Sequence, residues 1–493
     1  MKVFAVAVAA LAAVAVQAKQ ETSFDALDTN TRDFTDPPIQ PGTVAAVEVP
    51  DEAVAAVTTA PVTDAPATTA PVTDTPATNT TATTAPATDA PATSAPSTDA
   101  PASNDGYVLH ALAIGDWGVT SDPTGSCCSR YKGDKDTPAY NKHRYAQDNV
   151  AALLGASAEL LKPKAVLGHG DSFYWQGLME DDVQTRFQET FENKYKSEAL
   201  NVPWFNVMGN HDYGGASFIC GHKCNSTEEM LQHLDAKFTR QQQYKSPNDD
   251  RWQIKGHYYK ETIEAGGVSV DIYNVDTNYA TSHGASQICC QCYGYGGDSP
   301  VCKDPHPDNA GELCAGGSLD MFNACMNKLK EWQDDSLTQL ERDAKASTAT
   351  WKIVNSHYSP HFHMPPEMYT PWYQVLKDAG IQLFVNGHTH AESHDHSDSY
   401  KTHFITNGAG GGIQSESIGA PPEHAISAVG VNQVWNAAGE PYGYFELSFS
   451  AVGLRLQFIS TGSGWKPDEQ QAARQVQYCY VIPIDGGVGS KCA

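Results

Sequence analysis

From about Tyr107 onward, short apolar runs alternate with stretches of helical spacing. The run VLHALAIGDWG (108–118) predicts a strand passing into a turn. NKHRYAQDNVAALLGASAELLK (141–162) places apolar residues three and four apart and predicts a helix. Five further runs predict buried strands that end in turns: AVLGHGD (165–171), VPWFNVMGNHD (202–212), WKIVNSH (351–357), IQLFVNGHTH (381–390) and HFITNGAGGG (403–412). VSVDIYNVDT (268–277) predicts another strand, and 227–238, 320–345 and 367–379 predict helices. YGYFELSFSAVGLRLQFIS (442–460) predicts a hairpin. Alternation of this kind predicts α/β layering with an antiparallel contribution late in the chain.

The strand ends share one feature. At least five apolar runs stop at Gly or a small polar residue and then place Asp, Asn or His: Asp116, Asp171, Asn210-His211-Asp212, His357, and His388 with His390. In open α/β sheets, ligands sit beyond the carboxyl ends of strands, so such residues can meet in one pocket. Carboxylate, amide and imidazole suit borderline-to-hard metals. Each piece has a plainer reading. An Asp after a strand often caps a turn, GNHD is a good turn sequence, and His388 and His390 can share one face of a strand. His394 and His396 lie in the polar stretch ESHDHSDSY and are expected to be solvated.

The first hundred residues differ from the rest. Met1–Ala18 has one Lys, an alanine-rich apolar stretch and a small-residue end, which predicts a cleaved secretory signal. Residues 19–53 are acidic and aperiodic, and 54–103 are dominated by Thr, Ala, Pro and Asp with a ten-residue period. Such a segment has too few large apolar residues for a core, and 19–104 is expected to be a disordered, mucin-like stalk. Asn79 and Asn225 stand in N-glycosylation acceptors. The catalytic domain is expected to run from 105 to 493, and the protein to be secreted, extracellular or wall-associated through its stalk. No later stretch predicts a membrane span.

The chain has 12 cysteines, an even count that reads as disulfides in an exported protein. Zinc held by Cys289, Cys290, Cys292 and Cys302 is disfavoured by their uneven spacing. The formal net charge is −26; residues 105–493 alone carry 46 acids against 29 bases. A domain so acidic repels nucleic acid and anionic lipid, and an anionic substrate needs a local positive centre.

The ordered blocks GDxG, GDxxY, GNHD, VxxH and GHxH, spanning about Leu109–Gly412, resemble the metallophosphoesterase superfamily. Tyr174, three residues after Asp171, narrows the resemblance to purple acid phosphatases. Residues 19–104 are too poor in large apolar residues to form the extra β-sandwich domain of the large plant-type enzymes, so the chain looks closer to the small, single-domain type. The resemblance implies two mixed β-sheets packed face to face with helices outside. It implies Fe(III) on Asp116, Asp171, Tyr174 and His390, and a divalent Fe, Zn or Mn on Asp171, Asn210, His357 and His388. Asp171 would bridge the two ions. His211 would bind the substrate phosphate or protonate the leaving group, oriented by Asp212. Asn210 would also face substrate. In HYSPHFHMPP, His363 or His361 is either a further substrate-facing histidine or an exposed loop residue, and spacing leaves both readings open.

The implied reaction is hydrolysis of small phosphomonoesters or phosphoproteins by metal-bound hydroxide. Two cations roughly 3.5 Å apart need a shared anionic bridge, which one carboxylate supplies. A phenolate is a hard donor that prefers a trivalent ion, and such an ion acidifies water strongly. Ser172 stands where many relatives have Asn and is not a ligand position. The Cys-rich stretch 285–325 is expected to be a disulfide-stapled insertion, or alternatively a lid. The glycine run 408–412 lacks the Lys and Ser/Thr of a phosphate loop and predicts a close-approach turn beneath the metals. Two other readings remain: a phosphodiesterase of the same superfamily with two divalent ions, and a non-catalytic wall or surface protein.

Overall fold

Consecutive buried apolar residues without alternation mark strands that are covered on both faces. In the computed structural model of the chain, these strands form the middle of two stacked sheets. The residues described are 106–119, 143–214, 219–222, 224–281, 284–290, 318–411, 416–439, 441–460 and 474–492. The leader, the stalk and residues 291–317 of the Cys-rich insertion lie outside them.

In chain order the strands are β1 (Leu109–Ile114), β2 (Ala165–Gly168), β3 (Trp204–Asn206), β4 (Trp252–Gln253), β5 (Tyr258–Ala265), β6 (Val268–Val275), β7 (Trp351–Asn355), β8 (Leu383–Asn386), β9 (Glu392–Ser397), β10 (Thr402–Asn407), β11 (Val431–Asn436), β12 (Gly443–Phe449), β13 (Gly453–Ser460), β14 (Gln475–Pro483) and β15 (Ser490–Lys491). The first sheet runs β15-β14-β13-β12-β1-β2-β3-β4, and the second β11-β9-β10-β8-β7-β6-β5. β1 to β4 pair in parallel, as do β6, β7, β8 and β10; the remaining pairs are antiparallel. The expected pair of mixed sheets is therefore present.

Alternation within the second sheet divides its residues between two cores. Ile353, Leu383, Val385 and Ile405 face the first sheet. Val354, Phe384 and Phe404 face outward and pack with Leu340, Trp372 and Leu376 of the helices Leu319–Ala346 and Pro366–Ala379. Each such side chain, fully buried, contributes about 1.5–3 kcal/mol.

Polar stitches cross the gap between the sheets. Asn355 at the end of β7 donates to the carbonyls of Gly168 (3.2 Å) and Phe205 (3.0 Å). Its amide oxygen lies 2.6 Å from His169 Nδ1. Trp351 donates to the Ser450 carbonyl at 2.8 Å. The Asn355 bonds align the carboxyl end of β7 with those of β2 and β3, and the Trp351 bond ties the other end of β7.

The expected helices form, the first with shorter bounds at Ala146–Leu161 and the others with longer ones at Thr227–Gln243, Leu319–Ala346 and Pro366–Ala379. The hairpin is β12–β13, and it carries β1 as its neighbour. Three disulfides are described: Cys220–Cys224, Cys289–Cys325 and Cys479–Cys492. Cys290 is also disulfide-bonded, so neither Cys289 nor Cys290 is a zinc thiolate. No helix among the described residues is long and apolar enough to cross a membrane.

One expectation is overturned here. His394 and His396 are not solvated: all six residues of β9, ESHDHS, are buried. Their polarity is satisfied internally. Tyr478 OH is 2.7 Å from His394 Nδ1, His394 Nε2 is 2.7 Å from His403 Nδ1, and His403 Nε2 is 3.0 Å from the Gly487 carbonyl. His396 Nε2 lies 3.1 Å from the Gly486 carbonyl. Polarity in a sequence predicts exposure only where no internal partner exists, and here β10 and the C-terminal strands provide partners.

Candidate metal centre

The strand ends converge because both sheets point their carboxyl ends the same way. Asp116 follows β1, Asp171 follows β2, Asn210 follows β3, His357 follows β7, and His388 and His390 follow β8. Three of these positions twist the backbone into the left-handed region: Asp116 (φ 56°), Asp171 (φ 51°) and His388 (φ 69°). Non-glycine residues hold that conformation at a cost on the order of 1 kcal/mol or more, and such strain concentrates at functional sites.

The glycines beside them have a physical reason. A Cβ on Gly209 would lie 2.2 Å from Asp171 Oδ1, and one on Gly387 would lie 2.2 Å from Asp116 Oδ2. Each glycine clears room for the carboxylate of another strand end. The turn at 408–411 does likewise: a Cβ on Gly408 would meet the Thr389 carbonyl at 2.0 Å and Asp116 Oδ2 at 3.1 Å.

The donor atoms fall into two groups. In the first, Tyr174 OH lies 3.3 Å from Asp116 Oδ1 and 3.0 Å from His390 Nε2, and those two are 3.7 Å apart. In the second, Asn210 Oδ1 is 3.1 Å from both His357 Nε2 and His388 Nδ1. Asp171 belongs to both. Its Oδ1 is 3.5 Å from His357 Nε2, and a carboxylate oxygen of Asp171 falls with Asp116 and His390 in a group whose ligand atoms lie within 4.8 Å of one another.

This donor set suits cations and is uncomfortable without them. Burial and the neighbouring Asp171 push the Asp116 carboxyl well above its usual range. Burial, then Asp171 and Asp116, raise the Tyr174 phenol. His390 Nδ1 is buried with no hydrogen-bond partner among the described residues. His357 is set up as a ligand: its Nδ1 donates to the His169 carbonyl at 2.7 Å, which leaves the Nε2 lone pair facing the site.

His211 stands beside this group. Its backbone N–H donates to Asp171 Oδ1 at 2.9 Å, and its ring Nδ1 donates to the Trp175 carbonyl at 3.0 Å. Burial lowers its pKa to about 4, against an upward pull from Asp171. Asp212 turns the other way. Its carboxylate accepts from Gly209 N (2.8 Å), Ser172 N (3.0 Å) and Gln241 Nε2 (2.9 Å). Its pKa is raised to about 7 by burial and by Asp171, and those three donors oppose the rise. The ring of His211 is therefore oriented by Trp175, while Asp212 braces the turn that carries it.

The two open histidines separate. His363 sits at the site edge, with its Nε2 3.2 Å from Thr389 Oγ1 and its ring 4.7 Å from that of His388. His361 faces away, towards Tyr373 OH (2.9 Å) and Asp395 Oδ2 (3.4 Å). Both are buried rather than exposed loop residues. Two contributors escape sequence reasoning. His169 acts through its carbonyl and Trp175 through its own; a backbone acceptor leaves no mark on residue type.

The sequence pattern of the calcineurin-like phosphoesterases matches residues 109–392, more than half of the chain, and the chain belongs to that family. It is 24% identical over 303 residues to purple acid phosphatase 17 of Arabidopsis thaliana, covering 61% of this chain and 67% of that protein. Against purple acid phosphatase 3 of the same plant, identity is 25%, with 61% of this chain and 62% of that protein covered. It is 28% identical to tartrate-resistant acid phosphatase type 5 of Sus scrofa over 34% of this chain and 39% of that protein. Among solved structures, GAP50, the anchor in the inner membrane complex of Plasmodium, aligns with a TM-score of 0.46 at 15% identity, over 78% of this chain and 90% of that chain. The purple acid phosphatase PPD1 from yellow lupin seeds aligns with a TM-score of 0.39 at 13% identity, over 76% and 54%.

Proposed function

We propose that this metal-dependent phosphoesterase is a phosphomonoesterase of the purple acid phosphatase type, with Fe(III) and a divalent Fe, Zn or Mn as its metals. The observation that carries the proposal is Tyr174, whose phenol oxygen lies within 3.3 Å of Asp116 and 3.0 Å of His390. Between two carboxylates a phenol resists ionisation, so a phenolate at this position calls for a strong cation. Asp116, Asp171, Tyr174 and His390 would hold the trivalent ion; Asp171, Asn210, His357 and His388 would hold the divalent one. Bound there, the pair supplies charge neutralisation and an acidified water to a phosphate ester.

The chain's own groups do the rest. His211, neutral when the site is empty of anions, presents its second ring nitrogen to an incoming phosphate. A phosphate dianion beside it raises its proton affinity, so that it can donate to the leaving oxygen. His363 and Asn210 offer further contacts at the rim. The disulfides fit an extracellular or secretory-pathway protein. The leader, the stalk that links the domain to a wall or glycan layer, and the use of small phosphomonoesters or phosphoproteins belong to this same proposal.

The test is to purify the exported protein, count its metals and record its visible spectrum. Two metals with a tyrosinate–Fe(III) absorption that disappears in Tyr174→Phe supports the proposal. A colourless protein with two divalent ions withdraws the iron assignment in favour of a phosphodiesterase. A metal-free protein inert toward aryl phosphates leaves a binding protein.

A further inference from the structure

The loop that follows Asp171 holds two groups the reaction needs. Tyr174 supplies its phenol, and the carbonyl of Trp175 orients the His211 ring. Its next residues pack against the turn that carries His211: a Cβ on Gly177 would lie 1.9 Å from the Asp212 carbonyl. Within 174–178, the carbonyls of Tyr174, Gln176 and Leu178 are met by basic side chains.

Arg186 Nη2 donates to the Tyr174 carbonyl at 2.6 Å. Lys237 Nζ donates to the Gln176 carbonyl and lies 3.0 Å from Met179 Sδ. Arg240 Nη1 donates to the Leu178 carbonyl at 2.9 Å. Lys237 and Arg240 come from the helix Thr227–Gln243, and Arg186 from the short helix Val183–Phe187. Lys237 is fully buried, which is rare for a lysine; burial and the neighbouring Arg240 lower its pKa to about 7, against an upward pull from Asp182. Asp182 anchors the end of the loop by accepting from Met179 N at 2.8 Å.

We propose that Lys237, with Arg186 and Arg240, is a positioning clamp on residues 174–179, setting the Tyr174 phenol and the His211 imidazole together. The clamp rests on the phosphatase reading for what those two groups do, but not for its own existence. A buried amino group cannot leave its carbonyl without going unpaired in a dry environment, so the bond to Gln176 fixes the loop. Three basic donors on successive parts of one loop leave it little freedom to shift. Displacing a reacting group by about 1 Å can cost about 10²-fold in rate.

The experiment compares Lys237→Met and Lys237→Arg with Lys352→Met. Lys352 also spans two carbonyls, those of Ala344 (3.0 Å) and Ala379 (2.7 Å), but remote from the site. In metal-stripped full-length protein, Lys237→Met should speed hydrogen exchange of the 173–182 segment by about tenfold. In metal-loaded protein it should lower kcat on an aryl phosphate by about 10²-fold while KM stays within about threefold, and it should shift the visible band. Lys237→Arg should recover most of each, and Lys352→Met should lower thermal stability alone.

Unchanged exchange in Lys237→Met, or equal kcat losses in Lys237→Met and Lys352→Met, overturns the clamp. If Lys237→Met does not fold, Arg240→Gln takes its place, and unchanged exchange at 173–182 in that variant overturns the proposal equally. A colourless wild type withdraws the iron reading while the exchange result still judges the clamp.

Discussion

Two groups of histidines lie a few residues apart in sequence and do opposite things. His388 and His390 hang from the turn after β8 and offer lone pairs to an acidic pocket. His394 and His396 stand in β9, with His403 opposite in β10, and use their nitrogens on one another and on the C-terminal strands. The second set reads as a one-way chain. Tyr478 O–H donates to His394, His394 donates to His403, and His403 donates to Gly487. Each ring in the chain is both donor and acceptor, so only neutral imidazoles close it. The same residue type thus faces an acidic pocket, where the proposed metals would bind, in one region and takes part in neutral bonding in the other. What differs is whether the surroundings supply carboxylates or carbonyls and hydroxyls.

The largest test of this contrast is substitution at the pocket. His390→Ala or His388→Ala should lower phosphatase kcat by at least about 10²–10³-fold while the thermal midpoint of metal-stripped protein barely moves. His394→Ala should do the reverse. Losing a buried hinge between Tyr478 and His403 should cost about 2–4 kcal/mol of stability and leave kcat per folded molecule unchanged. A His394 variant that lost activity without losing stability would erase the distinction.

Acid should separate the regions next. Burial lowers His403 to about 3, below an ordinary imidazole. A depressed histidine stabilises the fold above about pH 6.5, and that contribution drains by about 1.4 kcal/mol per pH unit as pH falls towards 3. His403→Phe should therefore flatten the acid limb of a stability profile, whatever it does to the maximum.

At the pocket the sign is opposite. Asp116 is raised by burial and by Asp171, so it favours the metal-free fold below about pH 4 and ceases to do so as pH rises through its folded value. Chelation should thus lower the thermal midpoint more at neutral pH than at pH about 4. Equal shifts at both would show that the pocket carboxylates are not strained without cations. The smallest effect is expected at Ser172, whose buried hydroxyl has no partner among the described residues. Ser172→Ala should change stability by less than about 1 kcal/mol and leave kcat intact.

Much of the site is legible in the sequence. Strand runs ending at Asp116, Asp171, Asn210, His357 and His388 imply a common pocket because parallel strands deliver their ends to one side. The glycines beside them are visible as punctuation, but not as the clearance that Gly209 and Gly387 make for carboxylates from other strands. The pattern of apolar positions does not announce β5, β9, β11 or β14 as strands. β9 in particular carries no apolar residue, and a strand of that kind is invisible to hydrophobic periodicity. The orientation of His211 by Asp212 is an expectation carried by the resemblance. In the folded chain adjacent side chains diverge, and the orienting acceptor is the carbonyl of Trp175, 36 residues away.

By itself, then, the sequence determined the kind of chemistry: which residue types end which strands, in what order, with Tyr174 three places after Asp171. It also determined an acidic domain, in which an anionic substrate would need a local positive centre. Only the tertiary structure decided which histidines face the candidate centre. His363 lies at its edge while His361 turns to Tyr373, and His390 faces Tyr174 while His394 faces Tyr478. The reason is physical. Local spacing fixes which side chains share a face, but the partners of a face come from β10, β14 and helices far along the chain, and those partners decide what a histidine becomes.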